Sequence, residues 1–131
     1  MPNLDGTRAK LEEIFISGWA ERTPIKYDNV PFDDKLHDYF VEIRMINNVT
    51  YNAIVGNGRK RHEGVFSIVI YAKQNTGSGA AYSYADAIGQ IMDNLSDVNL
   101  FTYASEARRA GKEEGGRYVL IVDVPYLSDE V

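Results

Sequence analysis

The sequence predicts an α+β domain, in which a mostly antiparallel sheet of four to five strands carries two helices packed on one face. Two segments, near residues 7–19 and 80–95, repeat apolar residues at three- and four-residue spacing, as amphipathic helices do. Residues 39–72 contain alternating segments, and residues 117–125 are largely apolar on both alternating faces except at Asp123, as strands are. With 131 residues the chain has enough material for one core, so residues 1–131 are predicted to form a single domain.

The first helix is predicted to begin at an N-cap, Thr7, and to end at Trp19. Its buried face consists of large apolar residues and one glycine: Leu11, Ile14, Phe15, Gly18 and Trp19. Residues 20–38 are predicted to be an extended loop, because Pro24 and Pro31 keep their preceding residues out of the helical region.

Three strands are predicted next: residues 39–46, 50–55 and 61–72. Asn47 and Asn48 interrupt the first, and Gly56-Asn57-Gly58 forms the turn before the third. A second helix is predicted after the turn at 75–79, with an apolar stripe that runs as far as Leu95.

The last two strands are predicted over residues 98–103 and 117–125. Residues 104–116 between them are charged and contain no alternating apolar residues, so they are predicted to be an exposed loop that becomes ordered against a partner.

Two helices can cover only one face of this sheet, yet the opposite face is predicted to carry apolar area. The residues concerned share that face by alternation: Val65, Val69, Tyr71, Val119 and Ile121. The sequence leaves two alternatives for what covers this apolar face. One is the chain's own long loop, with Ile25 and Phe32 as plugs, and the other is a neighbouring subunit.

The composition excludes several classes of function. With 14 Lys+Arg against 19 Asp+Glu the net charge is -5, which argues against nucleic-acid binding. There are no cysteines, and the two histidines lie 25 positions apart without ligand spacing, so neither a metal site nor a cofactor is expected. No apolar run reaches the roughly 18 residues of a membrane span, and the N-terminus lacks the apolar region of a signal peptide.

No motif predicts catalysis. Ser78 lies in a Gly-Ser-Gly turn before a helix, but this turn lacks the lysine of a phosphate loop and has no evident base. The acidic residues of the long loop have no spacing typical of a calcium site: Asp28, Asp33, Asp34 and Asp38.

The segment from residue 19 to residue 32 carries a recognisable motif: Trp19, Arg22-Thr23-Pro24-Ile25, Tyr27-Asp28-Asn29 and Pro31-Phe32. It resembles the opening motif of the tail terminator (tail completion) family of long-tailed bacteriophages. The resemblance continues through a strand with a glycine at its start (64–71), the helix motif Ala85-Asp86-Ala87-Ile88 and a closing Val-x-Val-Pro strand at 122–125. It covers nearly the whole chain.

The resemblance implies a structural protein rather than an enzyme. Members of this family form a hexameric ring at the head-proximal end of the tail tube, stop tube polymerisation and present the surface on which the head's connector docks. The implied partners are other copies of the chain, the tail tube protein and the connector protein. The implied location is the virion tail, assembled in the host cytoplasm, with DNA only passing through the lumen. Six copies would carry a charge of -30, which suits a lumen that does not retain DNA.

The resemblance also suggests site residues. Four that match the motif are expected to lock the crossing segment onto the domain, near a subunit interface: Trp19, Pro24, Tyr27 and Phe32. The charged members Arg22 and Asp28 are expected to pair within the motif or across that interface, and Thr23 and Asn29 complete the motif. Two basic groups are candidate contacts to the tail tube or connector: Arg59, Lys60 and Arg61, and Arg108, Arg109 and Lys112.

Three other functions compete with this hypothesis. One is another neck protein, such as a head-completion or connector subunit, which would share the acidic charge and ring assembly. The second is a small hydrolase or transferase that uses Ser78, and the third is a monomeric ligand-binding module.

Overall fold

The computed structural model describes residues 3–27, 30–33, 37–52, 60–73, 79–112 and 117–130. It confirms the α+β class, with these elements in chain order: α1 (Leu4–Trp19), β1 (Ile25–Lys26), β2 (Phe40–Asn52), β3 (Lys60–Ala72), α2 (Gly79–Met92), β4 (Ser96–Asp97), β5 (Leu100–Thr102), β6 (Glu106–Lys112) and β7 (Tyr118–Asp129).

The sheet has seven strands, more than the four to five predicted, in the order β1-β2-β3-β7-β5-β4. β6 pairs with the first half of β7, on the same side on which β5 pairs with its second half. β1 is parallel to β2, and the other pairs are antiparallel. The sheet is therefore mostly antiparallel, as predicted.

The prediction of a loop over residues 104–116 was wrong where β6 forms. β6 pairs from Glu106 opposite Asp123 to Lys112 opposite Tyr118, with a bulge between Arg109 and Gly111. Because it is an edge strand with exposed residues at 106–110, nothing selects for apolar alternation in its sequence. Backbone pairing with β7 therefore defines this strand, and periodicity does not reveal it.

The predicted break at Asn47 and Asn48 is also absent. β2 is a single strand, and the irregularity between Asn47 and Val49 is a bulge in its pairing with β3. One extra residue is absorbed without ending the strand.

The N-terminus of α1 lies earlier than predicted. Asn3 is the N-cap, and its side-chain oxygen accepts a hydrogen bond from the Gly6 N–H at 2.7 Å. Thr7 lies inside the helix and is fully buried, with its hydroxyl 2.7 Å from the Ser128 hydroxyl of β7. This contact ties the first helix to the last strand.

Both helices pack on the same face of the sheet, as predicted. The main core lies between them and the sheet and is formed by apolar residues from α1, β2, β3, α2, β5 and β7: Leu11, Phe15, Trp19, Val41, Ile43, Phe66, Ile68, Ile70, Ala72, Ala81, Ala85, Ile88, Met92, Leu100, Leu120, Val122, Val124 and Tyr126. We call the opposite side of the sheet the outer face. It carries a second, smaller buried cluster around Phe40 and Val119.

Candidate functional site

Trp19 anchors the motif segment at the end of α1. It is fully buried, its ring is stacked on Phe15 at 5.2 Å, and Tyr84 of α2 lies 5.6 Å away. Its indole N–H donates to the Thr23 hydroxyl at 3.2 Å. The indole therefore satisfies its polar group within the turn that leaves the helix.

The chain then turns back onto the sheet. Ala20 ends α1 in the left-handed conformation, with φ of 53°. The Arg22 guanidinium lies 5.4 Å from the Trp19 ring centre and donates to the Gly18 carbonyl at 3.1 Å, where the helix leaves carbonyls unpaired. The Pro24 carbonyl accepts a hydrogen bond from the Val41 N–H at 3.1 Å and so begins the β1–β2 pairing.

The residues after β1 divide between the two faces. Ile25 and Tyr27 pack against the main core, so Ile25 does not plug the outer face as expected. Its position opposite Val41 in the parallel register places it on the helix side. Phe32 packs against the outer cluster, which is the role expected of it. Asp28 and Asn29 lie outside the described residues.

Half of the outer face is sealed by the chain itself. We call it the closed half: Phe40, Val69, Tyr71 and Val119, covered by Phe32 and Arg117. Phe40 stacks on Tyr71 at 4.5 Å, and the Phe32 ring lies 5.0 Å from Phe40. The Arg117 guanidinium lies 5.1 Å from the Phe40 ring and donates to the His37 carbonyl at 2.7 Å, which fastens the loop onto this face.

A buried carboxylate closes one side of this cluster. Glu42 is 7% exposed and accepts hydrogen bonds from the Tyr71 hydroxyl at 2.8 Å and from Arg44 at 2.9 Å. Burial alone would raise the pKa of Glu42, but these hydrogen bonds and the Arg44 charge outweigh it and lower the pKa below its ordinary value of 4.5.

Beyond a polar row formed by Arg44, Ser67 and Asp123, the outer face is largely apolar and partly to fully exposed. We call it the open half, and the strand registers arrange it in rows across the sheet: Ile46, Val65 and Pro125 in one, and Val49, Glu63, Leu127 and Phe101 in the next. Ile46 is 50% exposed, Val49 42% and Phe101 38%. This strip, which Glu63 interrupts, is apolar surface that the described residues leave uncovered.

Charged residues border the open half. Tyr51, 40% exposed, pairs across the sheet with Arg61, which pairs with Asp129. Arg61 holds Asp129 through two hydrogen bonds of 2.6 and 3.0 Å. An apolar strip with a polar border is the usual anatomy of a protein–protein contact.

His62 belongs to a hydrogen-bonded chain on the helix side of the sheet. It is 4% exposed, with Nδ1 2.8 Å from the Thr50 hydroxyl and Nε2 2.6 Å from the Glu130 carboxylate. Asn47 donates to Thr50 at 2.9 Å and accepts from the Tyr126 hydroxyl at 3.0 Å. Burial raises the pKa of Tyr126 to about 12. This series of hydrogen bonds joins the end of β7 to β2 and β3, so the role of His62 in it is structural.

The two basic groups lie in different places. Lys60 is exposed at the start of β3, and Arg61 is held by Asp129. On β6, Arg108 pairs with Asp123 at 3.2 Å, and Arg109 lies 5.4 Å from the Tyr118 ring. Arg59 and the side chain of Lys112 lie outside the described residues.

Sequence reasoning missed two features of this surface. Arg117 stands next to a glycine-rich loop, and nothing in its local pattern indicates that it reaches Phe40. The β6 edge was missed because an exposed edge strand carries no periodic signal. The apolar alternation of β2, β3 and β7 did signal the outer face.

The described residues add no chemical centre. Within the described ranges no group of three histidines, cysteines or acidic residues could hold a metal ion, and no helix is long and apolar enough to cross a membrane. Ser78 and Asp34 lie outside them.

The fold and this surface define a class: a small α+β domain whose sheet has one half covered by the chain itself and one exposed, largely apolar half. The chain belongs to the phage tail terminator protein family, whose model matches residues 7–126. It is therefore a structural component of the phage tail. A solved structure that is 17% identical has a TM-score of 0.71 and covers 98% of this chain and 96% of its own, which shows the fold. A search of curated proteins found no match.

Proposed function

We propose that this chain forms a ring, six copies in number, that caps the head-proximal end of the tail tube, stops tube polymerisation and provides the docking surface for the head. The observation that carries the proposal is the open half of the outer face, in a member of the tail terminator family. A chain that covers its closed half with its own loop but leaves Ile46 half exposed has a surface suited to another protein.

The open half is suited to protein rather than to a small ligand. Its apolar residues form rows on a pleated surface, and charged pairs such as Arg61–Asp129 border it. Burial of apolar rows supplies affinity, while the border sets the orientation of the partner.

The basic groups are proposed to contact neighbouring tail proteins. Lys60 is the exposed member of its group in the described part of the chain, whereas Arg61 is engaged by Asp129. Arg59 is proposed to belong to the same contact as Lys60 and Arg61. A second contact, at the sheet edge, is proposed for Arg108, Arg109 and Lys112. Because the chain is acidic, six copies carry -30 charges in all, which suits a lumen that lets DNA pass.

Electron microscopy of the purified chain mixed with headless tail tubes tests the proposal. We expect a ring of density at one end of each tube and a uniform tube length. Complementation with unfinished tails separates this function from that of another neck protein, because a terminator acts before heads are present. Tubes that stay uncapped at both ends and continue to grow would refute the proposal.

Charge reversal tests the basic contacts separately. Lys60→Glu should reduce head–tail joining, because the residue is exposed and makes no ion pair with the described residues. Lys73→Glu is the matched control, since it makes the same charge change at the opposite end of β3, where Lys73 lies 3.9 Å from Asp38. Equal joining by the two variants would remove Lys60 from the contact surface.

A further inference from the structure

The outer edge of β2 offers backbone hydrogen-bonding groups. β1 pairs with β2 only at Val41 and Glu42, and the Val41 N–H points away from β3 to the Pro24 carbonyl. Because backbone direction alternates along a strand, Ile43 and Met45 point their N–H and C=O groups outward as well. Among the described residues, no strand pairs with this edge beyond Glu42.

The outer edge of β6 offers the same groups on the opposite side of the sheet. The Pro125 carbonyl accepts from the Tyr103 N–H, which shows that odd-numbered β7 residues point toward β5 and β6. Arg108 lies opposite Ile121 and therefore points its backbone at β7, so Ala107 and Arg109 point theirs outward. Within the described ranges, nothing pairs with this edge.

A groove runs beside the β2 edge, and Tyr27 and Val30 of the segment after β1 also line it. It lies between α1 and β2, has a volume of about 420 Å³, and is lined in part by Arg8, Glu12, Ile43 and Met45. A second depression of about 430 Å³ continues it toward Asp5. An extended chain can reach the outward N–H and C=O groups of β2 through this groove.

We propose that β6 of one copy pairs with the outer edge of β2 in the next copy, so that the sheet continues across the subunit boundary and Arg108 and Arg109 contact the next copy rather than the tail tube or connector. This inference rests on the proposed ring. Two different edges of one chain make a head-to-tail contact, which repeats until a ring closes. The lengths agree, because β6 has seven residues and matches the stretch from Ile43 to Val49.

Charge favours this pairing over a pairing of two β6 strands. Arg108 and Arg109 would repel their counterparts if two copies of β6 met. In a continuous sheet, Arg109 instead lies on the helix face, beside Asp5 and Glu12 on the neighbour's α1. These two carboxylates share one cation, Arg8, in their own chain, so one negative charge is left for Arg109. Arg109 has no carboxylate within 4.0 Å among the described residues, and the Asp5 side chain is 81% exposed.

On the outer face, Glu106 would lie at the Val49 end of the neighbour's β2, because β2, β3, β7 and β6 alternate in direction and the new contact is antiparallel. The register places Glu106 and Arg108 on the outer side of β6, since they lie opposite Asp123 and Ile121 of β7. The charge match that favours this order of edges is therefore the one on the helix face.

A proline at Ala107 tests the pairing. Ala107→Pro removes an outward N–H that has no partner among the described residues of its own chain, and proline is tolerated on edge strands. Ala107→Thr is the matched control, because it keeps the N–H and is a good strand former. We expect Ala107→Pro to raise the concentration needed for ring formation by about tenfold in analytical ultracentrifugation, with circular dichroism unchanged. Rings formed equally well by both variants would overturn the inference.

Amide hydrogen exchange gives a second readout on the wild-type protein. The N–H groups of Ile43 and Met45 should exchange rapidly in the free chain and become protected in the ring, formed alone or on tail tubes. A ring in which both amides still exchange rapidly overturns this inference and leaves the proposed function intact. A wild-type chain that forms no ring, even on tubes, contradicts both.

Discussion

Phe32→Ala removes the ring that covers the closed half of the outer face. Phe32 is half-buried, and its ring lies 5.0 Å from Phe40 and 5.1 Å from His37. Loss of half the burial energy of a phenylalanine costs about 1 kcal/mol, and loss of the aromatic contacts adds about 1 kcal/mol. We therefore expect a loss of about 2 kcal/mol in the free energy of unfolding, which lowers Tm by about 8 °C in a chain of this size.

Urea unfolding followed by Trp19 fluorescence measures this change, because the single tryptophan is fully buried. The urea midpoint should fall while the slope m stays constant. Ile46→Thr on the open half is the contrast, since Ile46 is 50% exposed and threonine keeps the β-branch. It should change the unfolding free energy by less than about 1 kcal/mol. If Phe32→Ala costs no more than Ile46→Thr, the division into closed and open halves is wrong.

Three further predictions concern stability. Gly64→Ala should cost more than about 3 kcal/mol in urea unfolding, because an added Cβ would collide with the Ile46 carbonyl oxygen. Gly79→Ala, where an added Cβ meets no described atom within 4 Å, should change the unfolding free energy by less than about 1 kcal/mol; equal effects would contradict the close β2–β3 approach. Thr7→Val should lower the free energy of unfolding by about 1–3 kcal/mol, because it leaves the buried Ser128 hydroxyl without its partner. The double variant Thr7→Val with Ser128→Ala should recover part of that loss. If the effects of the two single variants simply add in the double variant, the two hydroxyls do not interact. The pKa of Glu42 is lowered in the folded state, so ionised Glu42 stabilises the fold above the ordinary pKa of 4.5 and this contribution is lost as the pH falls through the folded-state pKa. The wild type should therefore lose more stability than Glu42→Gln between about pH 5 and about pH 3. Parallel pH profiles of the two unfolding free energies would show that Glu42 does not contribute.

The local sequence pattern was sufficient to predict a helix or strand wherever one side of that element is buried, because burial repeats apolar residues at a regular spacing. The α1 face through Leu11, Phe15 and Trp19, and the alternation of β3, follow from the need to bury one side of each element. The same reasoning showed that the outer face carries apolar area and that Phe32 could cover it. The motif between Trp19 and Phe32 led to the family.

Elements that bury no regularly spaced apolar residues could not be predicted from the local sequence pattern. β6 is exposed on both faces, and its pairing with β7 is a backbone event that leaves no trace in side-chain polarity. The bulge at Asn47 and Val49 joins two segments that the asparagines seemed to divide, because pairing with β3 outweighs local turn preference. Local pattern also does not show that Arg117 reaches Phe40 or that Ile25 faces the main core.

The sequence by itself therefore determined the fold class, the two helices on one face and the surplus of apolar strand surface, because each depends on spacing along the chain. Only the tertiary structure decided which part of that surface the chain covers and which edges of the sheet are bare. Those properties depend on contacts between residues far apart in the sequence, such as Phe32 with Phe40 and Arg117 with the His37 carbonyl, and spacing along the chain does not encode them.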